Sequence, residues 1–197
     1  MAEKISSSAE ALVSADELNL ALEQLVSRSR RERQKASRVI SRAAKESPES
    51  LLAHIPILAE VLEFEEAQTR WEVLDALTLL APLAPGECEC AFEGAETALF
   101  DEDNGPVRLS ALRFLCKLGA SSQERSDRVW PLLDEAIQCY HGDLEFQDML
   151  IAVLEFSAGS ISPEVKKQLG TRMSFDAVNA KGALRKRAMQ IVENVSQ

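Results

Sequence analysis

The chain has 197 residues, a formal net charge of −10 and 46% hydrophobic residues, with only eight glycines and seven prolines. No stretch approaches 18 uninterrupted apolar residues, which excludes a helix that spans a bilayer, and Met1–Ser8 lacks the apolar core of a signal peptide. The acidic balance argues against nonspecific nucleic-acid binding, which rests on neutralising phosphates.

Taken in order, residues 1–13 read as a polar, flexible tail and 14–197 as a single repeat domain. Asp16 is placed to cap a helix running to about Val26, with Leu18, Leu22 and Leu25 on one face. A second helix spans about Arg31 to Lys45. Ser47-Pro48-Glu49 sets Ser at an N-cap and Pro in the first turn of a helix that reaches about Phe64. Gln68–Leu80 is its partner, stopped by Pro82 and Pro85. A weaker helix, Cys88–Phe100, carries Phe92, Ala95 and Leu99. After the loop Asp103-Asn104-Gly105-Pro106 comes Val107–Leu118, closed by Gly119 as a C-cap. Ser126–Tyr140 pairs with Leu144–Ser157. Ser162-Pro163-Glu164 opens a ninth helix, and Ala183–Val195 is the tenth.

A common ruler runs through every second helix. With Arg108 at zero, apolar residues fall at +3, +4 and +7: Ala111, Leu112 and Leu115. Arg70 is followed by Val73, Leu74 and Leu77, and Arg185 by Ala188, Met189 and Val192. Gln147 replaces Arg but keeps Leu150, Ile151 and Leu154. Arg33 has Ala36, Ser37 and Ile40. The anchors Arg33, Arg70, Arg108, Gln147 and Arg185 are separated by 37, 38, 39 and 38 residues. One such helix means little, but five at a near-constant spacing mean a tandem array of two helices per unit. The fold class is all-α: an α-solenoid of about five antiparallel helical hairpins.

A second mark precedes two anchors. His54-Ile55-Pro56-Ile57-Leu58 and Val129-Trp130-Pro131-Leu132-Leu133 each place a proline in a first helix. With these features the chain resembles the HEAT-repeat, armadillo-like proteins. In that family a loop Asp and a helix Arg help bridge neighbouring units. The resemblance assigns these roles to Asp103 and Arg108, and approximately to Glu65 and Arg70. It implies a superhelical scaffold and no particular activity.

Charge is uneven along the array. Arg28–Lys45 holds eight bases and one acid, while Glu60–Asp103 holds thirteen acids and one base; Lys166–Arg187 is basic again. The +1 and +5 positions of the second helices point away from the core on one side. In a HEAT-like stack the second helices line the concave side, so the resemblance places Arg38, Trp71, Asp75, Arg113 and Lys186 along one groove there, the expected partner-binding surface. An aromatic among charges is a common anchor for a partner, whereas packing between units is the structural role such a residue would otherwise play.

Catalytic chemistry is thinly represented. Cys88-Glu89-Cys90 is a C-x-C pair, but the only histidines, His54 and His141, lie in other units, so no zinc set of about four ligands assembles. Cys139, His141 and Asp143 sit close in sequence, at a helix end and its turn. The four cysteines are expected to stay reduced and the chain to be cytoplasmic. No cofactor is implied. One local resemblance points elsewhere: Trp71-Glu72-Val73-Leu74-Asp75 is similar to the Trp-x-x-x-Asp element of the HEAT-like alkylpurine DNA glycosylases. That would make Trp71 a DNA-facing aromatic, Asp75 the catalytic carboxylate and Arg113 a phosphate contact. The leading expectation is a non-enzymatic scaffold for a protein or peptide partner, with nucleic acid on the basic terminal helices as the lesser one.

Overall fold

A computed structural model describes residues 12–197, and the described residues hold helices and turns with no strand. Ala15–Leu25 is α1 and Arg30–Glu46 is α2. A 3₁₀ turn, Pro48–His54, then leads into α3, Ile55–Glu60, and a further 3₁₀ turn, Val61–Glu63. Ala67–Leu80 is α4. Pro85–Cys88 is α5, joined through the 3₁₀ turn Glu89–Ala91 to α6, Phe92–Leu99. The rest is regular: α7 is Gly105–Gly119, α8 Gln123–Cys139, α9 Phe146–Ser157, α10 Pro163–Asn179 and α11 Gly182–Val195.

Local chemistry sets many of these limits. Ser14, Ser29, Ser122 and Ser162 each accept a hydrogen bond from the backbone N–H three residues on, which satisfies a donor the helix leaves open. The cap of α1 is therefore Ser14, with Asp16 in the first turn. Ser47 makes no such bond, and the segment after it starts as a 3₁₀ turn instead of a regular helix. Pro56, in the first turn of α3, has no N–H to continue a ladder from behind. Two of the ten expected helices, Pro48–Phe64 and Cys88–Phe100, are thus present as broken, composite elements. Gly119 does not cap α7 with a left-handed turn, for Gly182 is the one described residue with positive φ. Gly119 is the last residue of α7, where a side chain would crowd Phe156 and Val129.

The units stack in two layers. The second helices α2, α4, α7, α9 and α11 pack side by side in chain order, and the first-helix elements lie on the other side. One continuous core links Leu18 at one end to Ile191 at the other. Such a stack buries apolar surface only between neighbours. Of the tail expected over 1–13, only Leu12 and Val13 are described. Val13 is held, its N–H donating to Glu46 Oε2 at 2.7 Å.

Burial corrects the ruler in the last two units. In α2, α4 and α7 the residues at +3, +4 and +7 from Arg33, Arg70 and Arg108 are buried. In α9 the buried set is Met149, Leu150 and Val153, with Ile151 40% exposed. In α11 it is Ala188 and Ile191, with Met189 51% exposed. The zero positions are therefore Phe146 and Leu184, one residue before Gln147 and Arg185. The units are then 37, 38, 38 and 38 residues apart.

Polar bonds tie unit to unit near the start of each second helix. Arg33 pairs with Glu66 and lies over the Phe64 ring at 4.6 Å. Arg70 Nη1 reaches Asp101 Oδ2 at 2.7 Å. Arg108 Nη2 reaches Asp143 Oδ2 at 3.2 Å and stacks over Tyr140 at 4.9 Å. Each arginine thus spans to the following unit. The expected acids Asp103 and Glu65 are exposed and are not the partners. Between α9 and α11 the polarity reverses: Arg187 Nη1 donates to Gln147 Oε1 at 2.5 Å.

Candidate partner-binding groove

Neighbouring second helices touch along much more of their length than neighbouring first-helix elements do. A stack whose layers are spaced unequally curves toward the tighter layer, so the outward surface of α2, α4, α7, α9 and α11 is the inner face. With the corrected register, its +1 row reads Gln34, Trp71, Leu109, Gln147, Arg185. Its +5 row reads Arg38, Asp75, Arg113, Ile151, Met189.

The structure places Arg38, Trp71 with Asp75, and Arg113 on three successive helices, α2, α4 and α7. Lys186 is exposed on α11, with α9 between it and Arg113, and stands one position off the +1 row. Trp71 is half-buried and packs against the core cluster while part of its surface stays open. Asp75 and Arg113 are half-buried, and neither forms an ion pair with a described residue. Arg38 is exposed and hydrogen-bonds across to α4: the Gln68 carboxamide oxygen, oriented to satisfy both groups, accepts from Nε at 2.5 Å and Nη2 at 2.9 Å.

A cavity of about 290 Å³ opens on this face between α7 and α9, lined by Arg113, Ala120, Ile151, Ala152 and Phe156 among others. Lys117 Nζ and Glu155 Oε2, 2.5 Å apart, bridge the two helices beside it. The sequence does not reveal this cavity, because its walls come from three helices, with Thr78 of α4 closing it beside α7 and α9. A misplaced register hides it further by sending Ile151 to the core.

The other candidates separate. His141 Nε2 lies 3.1 Å from Asp176 Oδ2 in the next unit, while Asp143 serves Arg108, so the local Cys139, His141, Asp143 set does not converge. All four cysteines are free. Burial, with Cys90 and Glu87 nearby, pushes the Cys88 thiol up to about 12. Burial, followed by the Glu155 charge, raises Cys116 further still. Neither supplies a thiolate near neutral pH, and it is the thiolate that reacts or binds metal. Among the described residues no three His, Cys, Asp or Glu side chains group to hold a metal ion. Nor is any helix there long and apolar enough to cross a membrane.

No family model matches this chain, and no curated protein does. Solved structures do. A designed armadillo repeat protein in complex with the peptide (KR)4 is similar at 16% identity and TM-score 0.77, over 93% of this chain and 84% of that one. Computationally designed armadillo repeat proteins for modular peptide recognition match at 16% and 0.73, over 91% and 82%. The archaeal HEAT-like repeats protein of Thermococcus onnurineus NA1 matches at 12% and 0.55, over 94% and 89%. At such identities the likeness is one of fold. The chain has the helical-repeat solenoid fold seen in the HEAT-like and armadillo repeat structures.

Proposed function

We propose that this protein is a non-enzymatic scaffold that binds an extended protein segment along the inner face of its second helices. The observation that carries this is Trp71, left partly open on α4 between Arg38 and Arg113 and a turn from Asp75. Large rigid aromatics framed by polar groups anchor partners at many interfaces. The peptide-bearing armadillo design supports the reading, since it shares the fold over most of both chains. Four free thiols fit a reducing, cytoplasmic setting.

Display of a random peptide library on the immobilised protein tests this. Selected peptides should lose about 2 kcal/mol of affinity, some thirtyfold, on Trp71→Ala. Trp71→Phe should keep the helical circular-dichroism spectrum and most of the melting temperature. Peptides indifferent to both changes would refute the groove.

A second reading rests on Trp71 and Asp75 sharing one face of α4, the pairing of the HEAT-like glycosylases. It is weaker because the same helix adds Glu72, and the chain as a whole is acidic where DNA demands positive charge. Release of alkylated bases from DNA at low salt, lost in Asp75→Asn, would establish it. No release by the unmutated protein removes it.

A further inference from the structure

We infer that the inner face selects an acidic segment, its carboxylates held by the basic stripe of α2 and by Arg113, and an apolar side chain seated in the cleft between α7 and α9. This rests on the scaffold reading and names the partner's chemistry.

Charge on the inner face is uneven, basic on α2 and mixed from α4 onward. The outward surface of α2 carries Arg31, Lys35, Arg38, Arg42 and Lys45 at three- and four-residue spacing, with no acid among them. Arg42 is engaged by Glu17 at 2.5 Å and by Glu46, at the end of the same helix, at 3.8 Å. Arg31, Lys35 and Lys45 are exposed and form no ion pair with a described residue. Like charges stacked at this spacing are unfavourable in a helix by themselves. They gain from an anion brought by a partner. Two helices along, Arg113 stands at the rim of the 290 Å³ cavity with no ion pair among the described residues. The inner face is thus rich in unpaired bases on a chain whose net charge is −10.

The cavity lies at the small end of the roughly 300–1,000 Å³ range of pockets that enclose a whole ligand. Its Ile151, Ala152 and Phe156 lining suits one side chain of a partner. Packed helices stand roughly 8–10 Å apart, so the α7–α9 cleft, two and a half spacings along, is roughly 20–25 Å from α2. Extended chain covers that in about six to eight residues at ~3.3 Å each. Trp71 lies between the two ends. A nucleic acid fits this face less well. Its charge is continuous along the backbone, and Glu72, Asp75, Asp148 and Glu155 interrupt the positive stripe. A peptide can set neutral residues opposite them. The (KR)4 peptide carried by the armadillo design has the opposite sign, so this scaffold uses the shared fold for a different class of sequence.

The test sequences the peptides selected from a random sixteen-residue library and titrates fluorescent copies by anisotropy. The expected sequences cluster Asp and Glu at one end and place an apolar residue about six to eight positions away, in either chain direction. Affinity should fall at least tenfold in the combined variant Arg31→Gln, Lys35→Gln, Arg38→Gln, and at least tenfold in Arg113→Gln. It should also fall when the peptide's apolar residue becomes Ser. Circular dichroism of each variant confirms the fold. Peptides that need Trp71 but are basic or uncharged would overturn the acidic partner and leave the scaffold standing. So would acidic peptides unaffected by either set of substitutions. A sixteen-nucleotide single strand that displaces the peptide and binds more tightly would overturn it in favour of nucleic acid. Selected peptides that ignore Trp71 as well would overturn both readings.

Discussion

Arg70 shows what one side chain does in this stack. Its guanidinium is about 10% exposed and meets Asp101 at 2.7 Å in the next unit. Burial pushes the Asp101 carboxyl up. Hydrogen bonds from Asn104, Arg70 and the Asp103 backbone, with the Arg70 charge, outweigh burial and hold it below its usual value. Removing one member of a buried pair leaves the other charge uncompensated, so Arg70→Met should cost about 3 kcal/mol in urea denaturation. The exposed pair Lys117 and Glu155 forms a contrast: Lys117→Met should change stability by less than about 1 kcal/mol. A carboxyl with a lowered folded-state pKa stabilises fully above its unfolded value of about 3.9 and loses that contribution as pH falls through the folded value. The gap between the parent protein and Arg70→Met should therefore hold from neutral pH to about 4 and narrow below it. A gap that stays constant as the pH falls below about 4 would mean that Asp101 is not the partner that matters.

At the scale of the helix, Leu150 and Ile151 decide the register of α9. Leu150 is fully buried and Ile151 is 40% exposed. Leu150→Ala should cost about 2–5 kcal/mol, and Ile151→Ala well under half of that. Equal losses would restore Gln147 as the zero position. The sequence could not choose between the two registers because α9 and α11 each put apolar residues side by side. Leu150 with Ile151, and Ala188 with Met189, satisfy the spacing from either start. Polar Gln147 and basic Arg185 look like the arginine of the earlier units, which tips the choice the wrong way. Where one register alone works, as in α4 and α7, the core is readable directly. For the same reason Trp71, Asp75 and Arg113 stand out as off-core from sequence. The composite elements around Pro56 and Glu89 were less legible. Their apolar residues keep a helical spacing even where the backbone turns to 3₁₀. The bridging acids were missed by a residue or two, since loop length decides which carboxylate arrives at the arginine.

Across the whole molecule, stability is carried by unit-to-unit contact. The core is continuous, but each unit meets only its neighbours. An array of that kind behaves as a chain of intrinsic and nearest-neighbour terms. The position of a substitution should then matter as much as its size. Leu112, in the central α7, and Ile191, in the terminal α11, are both fully buried. Leu112→Ala opens a cavity in a unit flanked on both sides, so native-state hydrogen exchange should quicken through α4, α7 and α9 together. Ile191→Ala weakens a unit with a single flanking neighbour among the described residues, held to α9 by the Arg187–Gln147 and Asn194–Ser157 hydrogen bonds. Its effect should stay within residues 163–195 and leave the exchange of α4 and α7 near that of the parent. Local opening of this sort is how unevenly coupled structures respond. If both substitutions accelerate every helix equally, the described chain unfolds as one cooperative body and the nearest-neighbour description fails. If Ile191→Ala alone frees the last hairpin, the groove from α2 to α9 remains formed, and peptides that depend on Trp71 should bind the variant with unchanged affinity.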